Sequence, residues 1–475
     1  MLEHPDDTII APVTGSGPAA IALIRLSGPD AIRLVAASFR GKGDLAVAAS
    51  HTLHYGRLVE PDGTGETTLD DVLVSVFRAP HSYTGEETVE ISCHGSPVIV
   101  RRIMACLVAK GARPAAPGEF TRRAFTNGRM DLAQAEAVAD LVSASDEQAL
   151  LLARCQFEGR LSQEINDLRE ALIRLSAHAA LGLDFADEDT GVEIHEGVRR
   201  TLEEVRSAIA AMVASHRAAR LVHDGINLVI AGPPNAGKSS LFNRILRESR
   251  AIVSEIPGTT RDVITGNVVI DGRHWILHDT AGIRSDTDDR IEALGIERTI
   301  GMAATADVVV WCDDEQPRAG ESTALRDCLR HLAGGTPIVH LWTKADRSPL
   351  MQPGSVQQKD KPTRDQYCGT REHPLRVSAV SGEGLDAFFA LLGKTADRLA
   401  AVEGVSSMIS SVRQRDALVR AGHELDAALL ALDQGALELA ASDIERGARA
   451  LAAVTGEVTT DDVLDAVFAG FCIGK

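Results

Sequence analysis

The stretch Ile226-Asn227-Leu228-Val229-Ile230-Ala231-Gly232-Pro233-Pro234-Asn235-Ala236-Gly237-Lys238-Ser239-Ser240-Leu241-Phe242-Asn243 decides the fold class of the region around it. A largely apolar run suited to a buried strand leads into a glycine-rich turn, and a helix-like segment follows. In that setting a G-x-x-x-x-G-K-[ST] match has a physical meaning. Small residues with permissive dihedrals let backbone N–H groups of the turn and of the helix start surround phosphate oxygens. Lys238 reaches the β- and γ-phosphates, and the Ser239 hydroxyl completes a Mg²⁺ shell. Asn235, Ala236, Gly237 and Ser240 belong to the same cradle. The segment predicts binding of a nucleoside triphosphate.

The base is set further along. Ile276-Leu277-His278-Asp279-Thr280-Ala281-Gly282 predicts a strand running into Asp-x-x-Gly, where Asp279 holds Mg²⁺ through water and the Gly282 N–H meets the γ-phosphate. Gly258-Thr259-Thr260-Arg261-Asp262 is a loop able to offer a threonine hydroxyl to the metal. Pro337-Ile338-Val339-His340-Leu341-Trp342 predicts another buried strand, leading into Thr343-Lys344-Ala345-Asp346. Asp346 can accept from the N1–H and the exocyclic amine of guanine. Adenine lacks that pair and leaves the carboxylate unsatisfied. Val377-Ser378-Ala379 closes on the base.

In order and spacing these pieces resemble the five-motif GTPase core of the translation-factor-related G proteins. Most relatives have Asn where this chain has Thr343, so one amide contact is lost or replaced by a hydroxyl. Guanine preference is expected to survive on Asp346, with weaker affinity. Ile283 follows the Asp-x-x-Gly segment and cannot orient a water, so another group between Asp286 and Arg298 must do so.

The chain has 475 residues, enough for roughly three domains at about 150 residues each. With 44% hydrophobic and 24% charged residues it reads as soluble and globular. No apolar run approaches the ~18 residues that span a bilayer, and the acidic start Met1 to Asp7 is not a signal peptide. Its seven cysteines form no C-x-x-C pair, which fits a reducing cytoplasm and argues against a zinc site. A formal net charge of −18 excludes bulk counterion release as the grip on nucleic acid. RNA must meet a local patch or be presented by another subunit.

Leu161, Ile165, Leu168, Leu172 and Leu175 form one helical stripe; Leu437, Ala441, Ile444, Ala448 and Leu451 form another. Both suit a helical bundle, and one such domain split by the nucleotide domain is the economical arrangement. Asp184, Asp187, Glu188 and Asp189 read as a solvated turn, and Ser348 to Pro374 as a polar surface loop. The N-terminal part alternates strand and helix, with strands over Ala20 to Ile24, Asp71 to Phe77 and Thr88 to Cys93. On the residues alone, Arg25 and Glu90 are either an ordinary ion pair or part of a ligand site.

The chain ends Phe471-Cys472-Ile473-Gly474-Lys475. A prenylation box starting at Cys472 is rejected, because a terminal lysine is a poor X and no polybasic run precedes it. The ending resembles the Cys-Ile-Gly-Lys tail of the MnmE (TrmE) family of bacterial tRNA-modifying GTPases. So do Asp7-Thr8-Ile9-Ile10-Ala11, Pro117-Gly118-Glu119-Phe120-Thr121, Asp131 to Ala137 and the nucleotide motifs, over essentially the whole chain. The resemblance implies a multidomain α/β plus α fold. Its parts are an N-terminal folate-binding and dimerisation domain (1–127), a discontinuous helical domain (128–220 and 396–475) and an inserted Ras-like P-loop GTPase domain (221–395).

The same resemblance implies a homodimer working with the flavoprotein MnmG. Together they place an aminomethyl or carboxymethylaminomethyl group on carbon 5 of the wobble uridine of certain tRNAs. The one-carbon unit comes from a tetrahydrofolate, as the 5,10-methylene or 5-formyl derivative, held by residues corresponding to Arg25, Glu90, Arg129 and Lys475. Arg129 stands where the family often has lysine, and Ser16 to Ala20 replaces a more glycine-rich loop. A potassium ion stands where an arginine finger would, ligated by Asn235, Ser254, Ile256 and Thr259, with Glu255 in the same nucleotide-binding loop. Thr260 joins Ser239 on Mg²⁺, and Glu292 orients the attacking water. Cys472, with no neighbouring base in sequence, gives no evidence for covalent catalysis and stays a candidate contributor to the site only. The alternative is a G-protein assembly factor for ribosome or RNA that performs no modification.

Overall fold

A computed structural model describes residues 7–15, 17–63, 65–184, 190–233, 235–248, 250–251, 264–279, 301–314, 336–347, 374–399 and 408–474. The chain forms two compact units. One comprises Met1–Ala139, Gln156–Ala210 and Asp416–Lys475, and the other Asp140–Cys155 and Ala211–Arg415.

In the first unit a seven-stranded sheet is built from β1 (Ile9–Pro12), β2 (Ile21–Ser27), β3 (Phe39–Gly41), β4 (Thr52–Pro61), β5 (Glu66–Phe77), β6 (Thr88–His94) and β7 (Arg113–Pro114), in the order β3-β4-β5-β6-β2-β1-β7. All pairings are antiparallel except β1 with β7. Period-two alternation sends Ile24 and Leu26, Val72, Val74 and Val76, and Val89 and Ile91 into one core. Helices α1 (Ala31–Ser38) and α2 (Pro97–Ala109) supply Leu34, Val35, Ile103 and Leu107 to that core. The expected strands are present, with β2 and β5 longer than their most apolar cores suggest.

The helices of this unit include α3 (Glu119–Thr126), α4 (Leu132–Ser143), which runs past Ala139, and α6 (Arg160–Asp184). Two later helices, Leu437–Thr455 and Asp461–Ala469, belong to the same unit. On α6 Leu161, Ile165, Leu172 and Leu175 are buried as expected, whereas Leu168 is half-buried. On Leu437–Thr455 the expected first position, Leu437, is only half-buried, and Ala440 takes the buried place expected of Ala441. Ala440, Ile444, Ala448 and Leu451 are buried, with Ala441 half-covered. The two helices pack along each other, so segments about 270 residues apart in sequence share one helical core.

The tail docks in the same unit. Leu464, Phe468 and Phe471 join Leu132, Ala135 and Val138 in one apolar cluster, and the Gly118 N–H donates to the Cys472 carbonyl at 3.5 Å. Gly474 has φ +97°, and a Cβ there would lie 2.3 Å from the Pro12 carbonyl oxygen, so only glycine brings the end of the chain this close to β1.

The second unit contains α5 (Glu147–Phe157) up to Cys155, the end of α7 (Thr190–His223), and α8 (Lys238–Glu248). Its sheet is β8 (Ile226–Ala231), β9 (Arg250–Ala251), β10 (Ile264–Ile270), β11 (Arg273–Asp279), β12 (Val308–Asp314), β13 (Ile338–Thr343) and β14 (Leu375–Arg376), in the order β14-β13-β12-β8-β11-β10-β9. The five strands from β14 to β11 are parallel, and β10 and β9 add an antiparallel edge. Parallel strands are covered on both faces. Accordingly β8 sends Leu228 and Ile230 to one core and Val229 and Ala231 to another with Trp311. Helix α8 buries Lys238, Leu241, Phe242 and Ile245 at the i, i+3, i+4, i+7 spacing of a single face. Among the described residues no helix is long and apolar enough to cross a membrane.

Candidate functional site

Because β8, β11 and β13 run parallel, their C-terminal ends share one edge of the sheet, where ligands of open α/β sheets bind. Three predicted segments emerge there: the turn after Ala231, Asp279 closing β11, and Thr343 closing β13. Gly232 opens the turn at φ +146°. A Cβ at that position would sit 2.1 Å from the Cys312 carbonyl oxygen, so the turn passes over β12 only as glycine. Asn235 is exposed with φ +63°, a left-handed conformation that asparagine tolerates better than most residues. Ala236 is buried, Gly237 is half-buried, and α8 starts at Lys238 with Ser239 and Ser240 exposed in its first turn. The N–H groups of a helix's first turn lack intrahelical partners and favour an anion placed at the helix start.

Lys238 is 8% exposed, and its Nζ donates to the carbonyls of Gly232 at 3.0 Å and Pro233 at 2.8 Å. The lysine thus folds back over the turn it follows. Burial pulls its pKa below the ordinary lysine value, while nearby Cys312 and Asp279 oppose that shift. Asp279 is 1% exposed. Burial pushes the Cys312 thiol up to about 12, which leaves it protonated and unreactive.

At the other end of the site Asp346 lies on a short 3₁₀ turn, Ala345–Arg347. The Ser378 hydroxyl donates to its Oδ1 at 2.6 Å. Ser378 is fully buried and in turn accepts from the N–H groups of Val380 at 3.2 Å and Ser381 at 3.1 Å. Gly237, Ser240, Thr343, Lys344, Asp346 and Ala379 line one cleft. The phosphate-side and base-side residues expected from sequence therefore meet. Arg347 and Val380 line the same cleft and were not singled out. Their only signal is adjacency to Asp346 and Ala379. Ser254, Glu255, Ile256, Thr259, Thr260, Thr280, Ala281, Gly282 and Glu292 lie outside the described residues.

The second candidate site lies in the N-terminal sheet. Arg25 and Glu90 pair across β2 and β6 at 2.7 Å, both mostly covered. The Arg25 guanidinium also lies 5.2 Å from the ring centroid of Tyr83 and 5.7 Å from that of Phe120. Neither ring is foreseeable from the sequence, because both lie far along the chain. A Cβ placed on Gly85, two residues from Tyr83, would lie 3.3 Å from the Arg129 Cγ, so the Arg129 side chain comes to this turn. Pro12, which the tail approaches, is the neighbour of Ala11, the β1 partner of Arg25. Lys475 lies outside the described residues.

Beside these groups a buried ionic cluster explains the Pro117–Phe125 block. Arg123, 2% exposed, bonds Asp7, Glu86 and Glu119, while Arg113 pairs with Asp7 and Glu119. Burial alone would raise the Glu119 carboxyl. Arg113 and the Ala116 N–H outweigh it and hold the group below the ordinary value. This cluster fixes α3 against the strand start, and it leaves the Arg25–Glu90 pair as a separate ion pair beside it. Among the described residues no group of His, Cys, Asp and Glu side chains is arranged to hold a metal by itself.

Comparison with known proteins adds the family. The family model for the MnmE helical domain matches residues 132–472, and that for the GTP-binding protein TrmE N-terminus matches residues 8–129. The tRNA modification GTPase MnmE of Christiangramia forsetii is 38% identical over 99% of both chains. That of Symbiobacterium thermophilum is 39% identical over 99% of this chain and all of its own, and that of Thermotoga maritima is 37% identical over the same shares. Among solved structures, the G domain of the Thermotoga maritima FeoB iron transporter covers 37% of this chain and 99% of its own at 22% identity, with a TM-score of 0.22. Aquifex aeolicus Era bound to GDP and AlF4⁻ covers 42% of this chain and 66% of its own at 23% identity, with a TM-score of 0.26. Both likenesses are too slight to add to the family match.

Proposed function

This chain belongs to the MnmE family of tRNA modification GTPases, and we propose that it hydrolyses GTP to drive modification of the wobble uridine of tRNA. The observation that carries the proposal is the convergence of Lys238, Asp279 and the Asp346–Ser378 pair on one edge of the parallel sheet. In that reaction water attacks the γ-phosphorus, the bond to the β-phosphate oxygen breaks, and GDP leaves with the electron pair. Lys238 and the first-turn N–H groups of α8 stabilise charge on the phosphate oxygens. Asp346 selects guanine.

Oxygen donors at Ser239 and Asp279 suit a hard divalent cation, with Thr260 as the other hydroxyl. Asn235, exposed on the turn, suits a monovalent cation together with Ser254, Ile256 and Thr259. When bound, these ions supply positive charge at the transferring phosphoryl group. Glu292 is assigned to positioning the attacking water. Comparing hydrolysis in potassium and sodium salts tests the monovalent role. We expect strong stimulation by potassium that Asn235→Ala abolishes, and equal rates in the two salts would remove it.

The folate assignment rests on Arg25, Glu90, Arg129 and Lys475. A paired guanidinium and carboxylate can hydrogen-bond a pterin edge, and the aromatic rings of Tyr83 and Phe120 beside Arg25 give that edge an apolar wall. A tetrahydrofolate derivative would supply the one-carbon unit. Homodimerisation is supported by Ile21, Leu53, Tyr55 and Leu73, all exposed on the N-terminal sheet, with Tyr55 and Leu73 direct cross-strand partners. The proposed assembly adds MnmG as flavoprotein partner and tRNA as substrate, in the cytoplasm. The domain assignment of 1–127, 128–220, 221–395 and 396–475 goes with it. Mass spectrometry of tRNA nucleosides from cells lacking this chain is the decisive experiment. Loss of the carbon-5 aminomethyl-type groups at the wobble uridine is expected, and an unchanged profile would reject the modification.

A further inference from the structure

Thr343 ends β13 at the point where the base-binding segment meets the phosphate loop, and it is 5% exposed. Its Oγ1 lies 2.6 Å from the Ala236 carbonyl oxygen and 3.0 Å from the Asp313 carbonyl oxygen. Both are acceptors, and a threonine hydroxyl has one proton to give. The shorter contact joins β13 to the residue before Gly237, and a Cβ placed on Gly237 would lie 3.7 Å from the Thr343 Oγ1. The N7 and O6 atoms of guanine are also acceptors. Thr343 could donate to either only by giving up its bond to the Ala236 carbonyl, which is buried.

On the reading of this cleft as a guanine-nucleotide site, we propose that Thr343 is a positioning residue for the phosphate loop and makes no contact with the base. Guanine is then read along its N1 and 2-amino edge by Asp346 and not at N7. The arrangement around Asp346 suits that division. Ser378 receives two backbone N–H bonds and spends its single proton on Oδ1, which fixes the carboxylate and leaves its remaining lone pairs to face donors. A carboxylate accepts only, so it senses the N1–H and the 2-amine and is blind to the N7 side.

The test measures affinities of the full-length protein for GDP, 7-deaza-GDP and IDP, by calorimetry or competition. The 7-deaza analogue lacks the N7 acceptor, and inosine lacks the 2-amine. We expect 7-deaza-GDP to bind within about twofold of GDP, and IDP to bind about tenfold or more weaker. Thr343→Val should weaken GDP and 7-deaza-GDP alike, by about tenfold, and leave the ratio of GDP to IDP unchanged. Thr343→Ser, which keeps the hydroxyl, should restore both. A tenfold penalty for 7-deaza-GDP in the unaltered protein overturns this inference alone and needs no variant that might misfold. Wild-type affinity in Thr343→Val does the same. GDP binding no tighter than IDP overturns the guanine reading and this inference with it.

Discussion

Asp346 depends on one hydroxyl for its orientation, and the consequence is local. Replacing it with asparagine keeps the shape but turns one acceptor into a donor. Guanine then meets a donor where it presents donors, whereas xanthine presents a carbonyl at that edge. Asp346→Asn should lower GDP affinity by about a hundredfold, an upper-range value for a lost charge-assisted pair, and raise affinity for XDP. Competition between the two nucleotides measures it. If XDP gains nothing, base selection lies elsewhere than Asp346. Lys238 follows similar logic: burial and two carbonyl partners hold it over the turn, so its role is set before any phosphate arrives.

At the scale of elements, the root of the nucleotide unit is tied by a small polar cluster. His223, the last residue of α7, bonds Asp224 through Nδ1 at 2.6 Å and Asp140 of α4 through Nε2 at 2.9 Å, and Ser410 donates to Asp140 at 3.1 Å. Asp140 and Asp224 together push the His223 pKa up to about 10 against desolvation. Arg220, one turn back on α7, is engaged with Asp307 and contributes to lowering Asp224. The sign follows from linkage. A histidine whose folded pKa is raised contributes stability in full below its unfolded value of 6.5, and loses it as pH climbs through about 10. Stability of this unit should therefore decline between pH 7 and 10, and His223→Gln should flatten that decline while lowering stability at pH 6. Denaturant midpoints across that range provide the measurement. Identical pH profiles for the two proteins would dismiss the clasp.

For the whole molecule the relevant fact is that each unit has its own sheet and its own buried cluster. Units with separate cores can unfold separately. Scanning calorimetry should resolve two transitions. Saturating GDP should raise only the one belonging to Asp140–Cys155 and Ala211–Arg415, by about 2.7 kcal/mol at a hundred times its dissociation constant. A single transition shifted as a whole by GDP would mean that the units unfold as one.

The sequence by itself determined the strand, turn and helix of the phosphate loop in the nucleotide unit. A strand, a glycine turn and a Lys-Ser pair are consecutive, and local order is enough to specify a phosphate cradle at the end of β8. It also determined Asp279 and Asp346 as strand-end carboxylates, because each closes or follows a recognisable apolar run. The helical stripes were legible from their period, except that Leu168 and Leu437 are only half-buried and Ala440 replaces Ala441 as the buried residue.

Only the tertiary structure decided the contacts made across sequence distance. It brought Tyr83 and Phe120 to Arg25, set Arg123 among Asp7, Glu86 and Glu119, packed α6 along Leu437–Thr455, and laid Gly474 against β1. It also gave Thr343 its two carbonyl partners, which no spacing reveals. The physical reason is common to all of these. Period and local motif record how a residue sits on its own element, whereas the identity of its neighbour depends on strand order and helix packing, which are properties of the folded chain.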